Sequence, residues 1–258
     1  MAASWDYIFQ YALNQIIAPS IFNDPFQLIM YGIWFVDAIF LAGLIRILYK
    51  NYKKTDSVES LLFMIGLLLI LTSLVFFNIA RFCYESLGSP GLGDLLYIIT
   101  QFPVIAGSLC FNIFAVRVTF PKRSKIVFSF VLVLGIIFLA TITWAVIQGP
   151  PYANVVNFDV SFSLNIVFIR LCSLLPILTI PAAVFFYYAI RIRNEDKPKS
   201  TTSLWLGLGI VFFAIAFVVS PIAIELRYLQ AFVLPAPIIF YICFSMPDWF
   251  KRKIGRAD

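Results

Sequence analysis

The sequence predicts an all-α integral membrane protein, built as a bundle of seven transmembrane helices. Hydrophobic residues make up 62% of the 258-residue chain and charged residues only 12%, a balance that no soluble domain could cover with polar surface. The apolar residues also fall into seven runs, each long enough to cross a hydrocarbon core of about 30 Å. These runs are Phe26–Lys50, Val58–Tyr84, Gly93–Val118, Ile126–Ile147, Val160–Ile190, Leu204–Ile222 and Leu226–Pro247.

The N-terminal segment before the first run is predicted to be a short helix on the outer membrane surface. From Trp5 to Ile17 the apolar residues recur at helical spacing, and Asp6, Gln10 and Asn14 share the opposite face. A lid over an outward-facing cavity is the alternative. The predicted organisation is an interfacial helix and linker over 1–25, the bundle over 26–247 and a short basic cytoplasmic tail over 248–258.

Positive charge sits in every second loop. By the positive-inside rule these loops are cytoplasmic, which places the N-terminus outside and the C-terminus inside a multi-pass cell-membrane protein. They also suit contact with anionic membrane lipids, so the net charge of +6 gives no reason to expect nucleic acid as a partner. The four clusters are Arg46, Lys50, Lys53 and Lys54; Arg117, Lys122, Arg123 and Lys125; Arg191, Arg193, Lys197 and Lys199; and Lys251, Arg252, Lys253 and Arg256.

Two charged residues lie deep within the runs. Asp37 is eleven residues into the first run and Arg170 ten residues into the fifth, so both are expected near the bilayer midplane. Isolated charges there are costly, and each should find a partner. Two interpretations stay open: the pair forms the floor of a central ligand or proton pocket, or Arg170 clamps nearby carbonyls while Asp37 is protonated or hydrogen-bonded.

The third run carries a polar stripe. Tyr97, Gln101, Ser108 and Asn112 fall on one helical face, which should turn toward other helices, either as interhelical hydrogen bonds or as ligand contacts. Prolines within runs three, five and seven can kink these helices and open a cavity. The predicted ligand-binding residues are Asp37, Gln101, Asn112 and Arg170.

Several kinds of chemistry lack their residues. The chain has no histidine, its four cysteines form no close pair, and no lysine lies deep in a run, which argues against a metal site, a structural disulfide and a retinal Schiff base. Nucleophile and phosphate-binding motifs are absent as well. We therefore expect no cofactor and no enzymatic activity.

The last run ends at Pro247, Trp249 and Lys251, a proline and an aromatic residue before a basic segment. With the helix count and orientation, this exit resembles the seven-helix sensor region of prokaryotic histidine kinases. The chain departs from that arrangement because no kinase, dimerisation or PAS segment follows. The resemblance implies a sensor whose output passes to another polypeptide.

Three functions remain open. The leading prediction is a receptor-like sensor module that binds a small or lipidic ligand in an outward-opening pocket and contacts a cytoplasmic or membrane protein partner. The second is a transporter or proton pathway that uses Asp37 and Arg170. The third is an accessory subunit that only packs against another membrane protein.

Overall fold

A computed structural model of the chain describes residues 25–85, 90–148, 153–156, 159–162, 164–219, 229 and 231–254. Helices and the short turns between them make up this part, apart from one β-hairpin. The predicted interfacial helix lies outside the described residues. The side chains of Arg81 and Glu85, whose spacing of four residues near the end of the second run predicts an ion pair within the helix, also lie outside the described residues.

The helices follow the apolar runs. A 3₁₀ turn at Pro121–Arg123 joins the third helix to the fourth, and π-helical segments occupy Arg170–Leu174 and Ile215–Val219. The helices are α1 Pro25–Thr55, α2 Val58–Glu85, α3 Pro90–Thr119, α4 Ser124–Gln148, α5 Leu164–Ile169, α6 Leu175–Arg191, α7 Lys197–Ala214, α8 Pro235–Ser245 and α9 Asp248–Ile254.

Within the described residues, five stretches of helix are long and apolar enough to cross a membrane, and they identify a multi-pass membrane protein. They are Val58–Ala80, Gly91–Thr119, Pro121–Ala145, Ile166–Arg191 and Lys197–Val218. The first predicted run is also helical, within the 31 residues of α1, and the last contains a shorter apolar helix at Ala231–Ser245.

A β-hairpin corrects the predicted start of the fifth span. Ala153–Val156 and Asp159–Phe162 pair as antiparallel strands with Val155 opposite Val160, and the helix begins only at Leu164. The predicted run Val160–Ile190 includes part of this apolar stretch, but β-branched valines favour strands. Arg170 consequently lies six residues from the helix start rather than ten, about 9 Å along the axis.

Contacts bring all four basic clusters to one end of the bundle, here called the basic end. Arg117 Nε lies 3.3 Å from Glu59 Oε1, which joins the end of α3 to the start of α2. Only two residues separate the start of α2 from the end of α1, so the first basic cluster lies at the same end. The Phe120 and Tyr187 rings, with centroids 5.7 Å apart, join the same end to α6. The Trp205 and Phe250 rings, 6.3 Å apart, bring in the start of α7 and the C-terminal α9.

Local sequence signals fix the helix boundaries at the basic end. The Ser57 hydroxyl accepts a hydrogen bond from the Ser60 amide at 3.2 Å, and the Asp196 carboxylate accepts one from the Lys199 amide at 3.0 Å, so each caps a helix N-terminus. Met246 adopts a left-handed conformation at φ 47°, which ends α8 just before Pro247.

Close helix approach builds the core of the bundle. A Cβ on Gly107 would lie 2.9 Å from the Gly66 carbonyl oxygen, so only glycine lets α2 and α3 pack this tightly. Toward the basic end, the fully buried Phe63 ring packs against Phe111, Phe114 and Phe240, with centroids 4.8 to 5.3 Å apart. Many outward-facing side chains of α4 are apolar and exposed, as a lipid-facing helix requires.

Candidate functional site

Asp37 is buried in the middle of α1. Its side chain is 3% exposed, and neither carboxylate oxygen has a hydrogen-bond partner among the described residues. Buried polar groups are almost always hydrogen-bonded, and an ionisable group within a membrane span is a functional candidate by default. Asp37 is therefore the most conspicuous polar group in the interior of the bundle.

Asp37 lines a small cavity where six helices meet: α1, α2, α3, α6, α7 and α8. Of the predicted spans, only the fourth, which is α4, is missing from the described lining. The cavity holds about 20 Å³, which is room for about one water molecule. Apart from Asp37 and Ser108 its lining is apolar, and the Ser108 hydroxyl donates to the Val104 carbonyl at 2.7 Å. An organic ligand does not fit here, whereas a proton or a water molecule does.

Arg170, in contrast, has several partners. It lies in the π-helical segment Arg170–Leu174, is 5% exposed, and donates from Nη1 to the Tyr97 hydroxyl at 3.3 Å and from Nη2 to the Phe217 carbonyl oxygen at 2.6 Å. In an α-helix that carbonyl would bond the amide four residues later, but position 221 is proline and has no N–H. The guanidinium donates to this carbonyl, for which Pro221 can provide no α-helical donor.

Asn112 likewise donates to a carbonyl that a proline leaves without its α-helical donor. Its Nδ2 donates to the Ile177 carbonyl oxygen of α6 at 2.9 Å, in addition to the Ser108 carbonyl of its own helix at 2.8 Å. Pro181 stands four residues after Ile177 inside α6, so that carbonyl lacks an α-helical donor. Asn112 is fully buried and ties α3 to α6.

The predicted polar stripe of the third run is confirmed as an inward face. Tyr97, Gln101, Ser108 and Asn112 are each at most 3% exposed. Gln101 Nε2 donates to the Tyr97 carbonyl one turn earlier at 3.1 Å. Within the contacts described, Tyr97 and Asn112 bridge to neighbouring helices, which is the packing interpretation of this face.

Within the described residues, the central cavity is not a floor that Asp37 and Arg170 share. Arg170 bonds to α3 and to the π segment after α7, whereas Asp37 lines the cavity that Arg170, Gln101 and Asn112 do not line. The later start of the fifth helix moves Arg170 away from the expected depth. Of the four predicted ligand-binding residues, the structure therefore places only Asp37 at the central cavity.

A second and much larger cleft opens at the basic end. It measures about 690 Å³ and lies between the end of α3, the 3₁₀ turn, the start of α4 and the last turns of α6. Its lining combines apolar residues with Lys122, Arg123, Arg191 and Tyr187. The sequence identified these cations as inner-loop residues suited to lipid contact, but their grouping around one cleft required the tertiary structure.

The described ranges contain no candidate metal site and no disulfide. No group of three or more carboxylates, cysteines and histidines is placed to hold a metal ion there. All four cysteine thiols are described and unpaired.

Comparison with known proteins adds no relative: no family model, no curated protein and no solved structure matches the chain. The resemblance of the Pro247–Lys251 exit to kinase sensor regions stays a prediction.

Proposed function

We propose that the chain is a receptor-like sensor module of seven transmembrane helices in the cell membrane. Its N-terminus lies outside, and its basic end lies in the cytoplasm. It binds a small or lipidic ligand and passes a conformational change to a partner protein. The observation that carries this proposal is the hydrogen bond from Arg170 to the Phe217 carbonyl, because it joins two π-helical segments.

Such segments suit a hinge. A π-helical turn holds an extra residue and is a frequent feature of functional sites and mid-helix distortions. The amide of Leu175 bonds the carbonyl of Arg170, five residues back, directly before Pro176. Residues beyond each hinge, in α6 and α7, lead to the basic end, where the Ser200 hydroxyl bonds the Ala189 carbonyl at 2.7 Å. Rearrangement of the joined hinges would move the α6–α7 turn as a unit.

The size of the two cavities indicates where a ligand would act. Small-molecule pockets usually measure about 300 to 1,000 Å³, so the basic-end cleft is large enough and the central cavity is not. This places the proposed ligand at the basic end. The predicted outward-opening pocket stays a prediction, because the outer connections at 86–89, 149–152 and 220–228 lie outside the described residues. Part of its wall is α6, the helix that continues from the Arg170 hinge, so an occupant would contact the moving element.

Distance measurements test the hinge directly. Spin labels at Lys53 and Glu195, both exposed at the basic end, would report the position of the α6–α7 turn relative to α1 in lipid nanodiscs. We expect two distance populations in the wild type and a change in their ratio in Arg170→Met. Arg170→Lys, which keeps the charge, provides a milder variant. A single distance distribution, unchanged in both variants, would overturn the sensor proposal in favour of a static accessory subunit.

Orientation needs its own experiment. In a background with the native cysteines replaced, a membrane-impermeant maleimide should label Asn154→Cys in intact cells and Glu195→Cys only after the membrane is opened. The reverse labelling pattern would overturn the proposed topology, and labelling of both positions from one side would show that the fifth predicted span does not cross the membrane.

A proton pathway is the second candidate, and the unpartnered carboxylate of Asp37 favours it. Against it, Ser108 is the only other polar residue among the described residues that line the cavity, so this lining offers no relay toward either membrane surface. Proton flux into liposomes that disappears in Asp37→Asn would support this candidate. Equal and negligible flux in both proteins would exclude it.

A further inference from the structure

The cleft at the basic end combines cations and apolar surface in one site. Lys122 and Arg123 of the 3₁₀ turn stand on one side, and Arg191 at the end of α6 on the other. All three side chains are exposed, and none forms an ion pair with another described residue. No carboxylate lines the cleft. Three cations without a local counterion favour an anionic occupant.

The deeper walls of the cleft are apolar. Val127 of α4 and Ile180 and Val184 of α6 line it, so its interior suits hydrocarbon rather than a hydrated ion. Next in sequence to the lining residues Val127 and Arg191, Ile126 is 71% exposed and Ile190 74% exposed, which indicates that the helices beside the cleft carry apolar side chains that face lipid. An occupant can therefore enter from the bilayer.

These two features together describe an amphiphile with a negatively charged head. We propose that the cleft binds one anionic phospholipid, with its phosphate between Lys122, Arg123 and Arg191 and the start of an acyl chain along Val127 and Val184. The phenol of Tyr187, also at the cleft, provides a further hydrogen-bond donor for the headgroup. A free phosphate would satisfy the cations but would leave the apolar walls uncovered.

The role of this lipid as the ligand that biases α6 rests on the proposed sensor function, but its binding does not. An anionic headgroup held between the 3₁₀ turn and the end of α6 would fix α6 against α4 at the basic end. Basic pockets between helices on the cytoplasmic side are established places for such headgroups in membrane proteins. Removal of the lipid would free the α6–α7 turn.

Native mass spectrometry of protein released from phosphatidylcholine nanodiscs doped with phosphatidylglycerol tests the binding. The double variant Lys122→Gln, Arg191→Gln should retain phosphatidylglycerol at least about fivefold less than the wild type, the factor expected for one basic residue at an anionic surface. The matched control Lys125→Gln, Arg193→Gln removes equal charge from neighbouring exposed positions that do not line the cleft. It should lose little retention.

A filling variant separates the cleft from general surface charge. Ala183→Trp keeps every cation but occupies the space between the walls, so it should also lose the bound lipid. Equal loss in the cleft and control double variants, or full retention in Ala183→Trp, would overturn the lipid site. Displacement of the lipid by inorganic phosphate at similar concentration would instead assign the site to free phosphate.

The spin-label distances then separate this proposal from the sensor function. If the lipid is retained by the cleft but the distances between Lys53 and Glu195 do not depend on phosphatidylglycerol, the lipid site stands and its signalling role is contradicted. If the distances respond to phosphatidylglycerol only in proteins that retain it, both proposals are supported.

Discussion

Asp37 and Arg170 are both buried charged residues of a membrane bundle, yet their surroundings are opposite. Arg170 is 5% exposed and donates to a hydroxyl and to a carbonyl that Pro221 leaves without an α-helical donor. Asp37 is 3% exposed, and its carboxylate meets a cavity with room for about one water molecule. Equal burial therefore does not imply an equal role.

The two residues show that hydrogen-bond partners, rather than burial, distinguish a structural charge from one that can respond to protonation. A buried charge that donates hydrogen bonds to neighbouring helices, as Arg170 does, favours a particular arrangement of those helices. A buried acid without a partner costs free energy in the resting structure, and it gains most from a change in protonation or from a bound water. Among the described residues, Arg170 joins helices, whereas the Asp37 carboxylate has no hydrogen-bond partner that would hold it.

The largest expected effect follows from removal of the Arg170 guanidinium. Arg170→Met leaves the Phe217 carbonyl and the Tyr97 hydroxyl without their donor, and it should lower the free energy of unfolding by about 2–3 kcal/mol. Denaturation in mixed micelles measures this loss. Arg170→Lys should lose less, because the ammonium still reaches one acceptor. If Arg170→Met lowered the free energy of unfolding by less than a substitution at an exposed position, the role of Arg170 in joining the helices would be contradicted.

A double-mutant cycle sharpens the structural side of the comparison. Asn112→Leu alone should destabilise the protein by about 1–2 kcal/mol, because the Ile177 carbonyl loses its donor. In a Pro181→Ala background the alanine amide can bond that carbonyl, so the same substitution should cost markedly less. Asn78→Leu is the control, since Asn78 bonds only the Leu74 carbonyl of its own helix in the described contacts. Strict additivity would contradict the donor role of Asn112.

The smallest effect is expected at an exposed charge pair. Arg117 and Glu59 lie 3.3 Å apart, but their side chains are 42% and 36% exposed, so solvent and salt screen the pair. Glu59→Gln should change the free energy of unfolding by less than about 0.5 kcal/mol, and the difference should vanish in high salt. A salt-independent loss as large as that of Arg170→Met would erase the distinction between buried and exposed charges.

The sequence predicted what depends on one helix at a time. Apolar runs located the helices, and helical periodicity placed Gln101 and Asn112 on an inward face, because both follow from composition and from 3.6 residues per turn. The hairpin at Ala153–Phe162 was missed because valine-rich segments suit strands and membrane helices alike. Which side chains share a cavity depends on helix order and rotation, so the separation of Asp37 from Arg170 required the tertiary structure.

The grouping of Lys122 and Arg191 shows the same limit. Their loops were predicted to lie on one side of the membrane, and contacts such as that between Phe120 and Tyr187 confirm a common end of the bundle. Their convergence on one cleft arises because α6 packs beside α3 and α4, a neighbour relation that no pattern within a single run encodes.

The most direct test of the account is the unfolding free energy of Asp37→Asn, measured beside wild type at neutral pH in the same lipid. Because neither carboxylate oxygen has a hydrogen-bond partner among the described residues, loss of the buried charge should outweigh the cost of the buried amide and stabilise the protein by about 1–2 kcal/mol, opposite in sign to Arg170→Met. Destabilisation of similar size to Arg170→Met would contradict the account, since it would show that Asp37 is held by interactions as strong as those of Arg170.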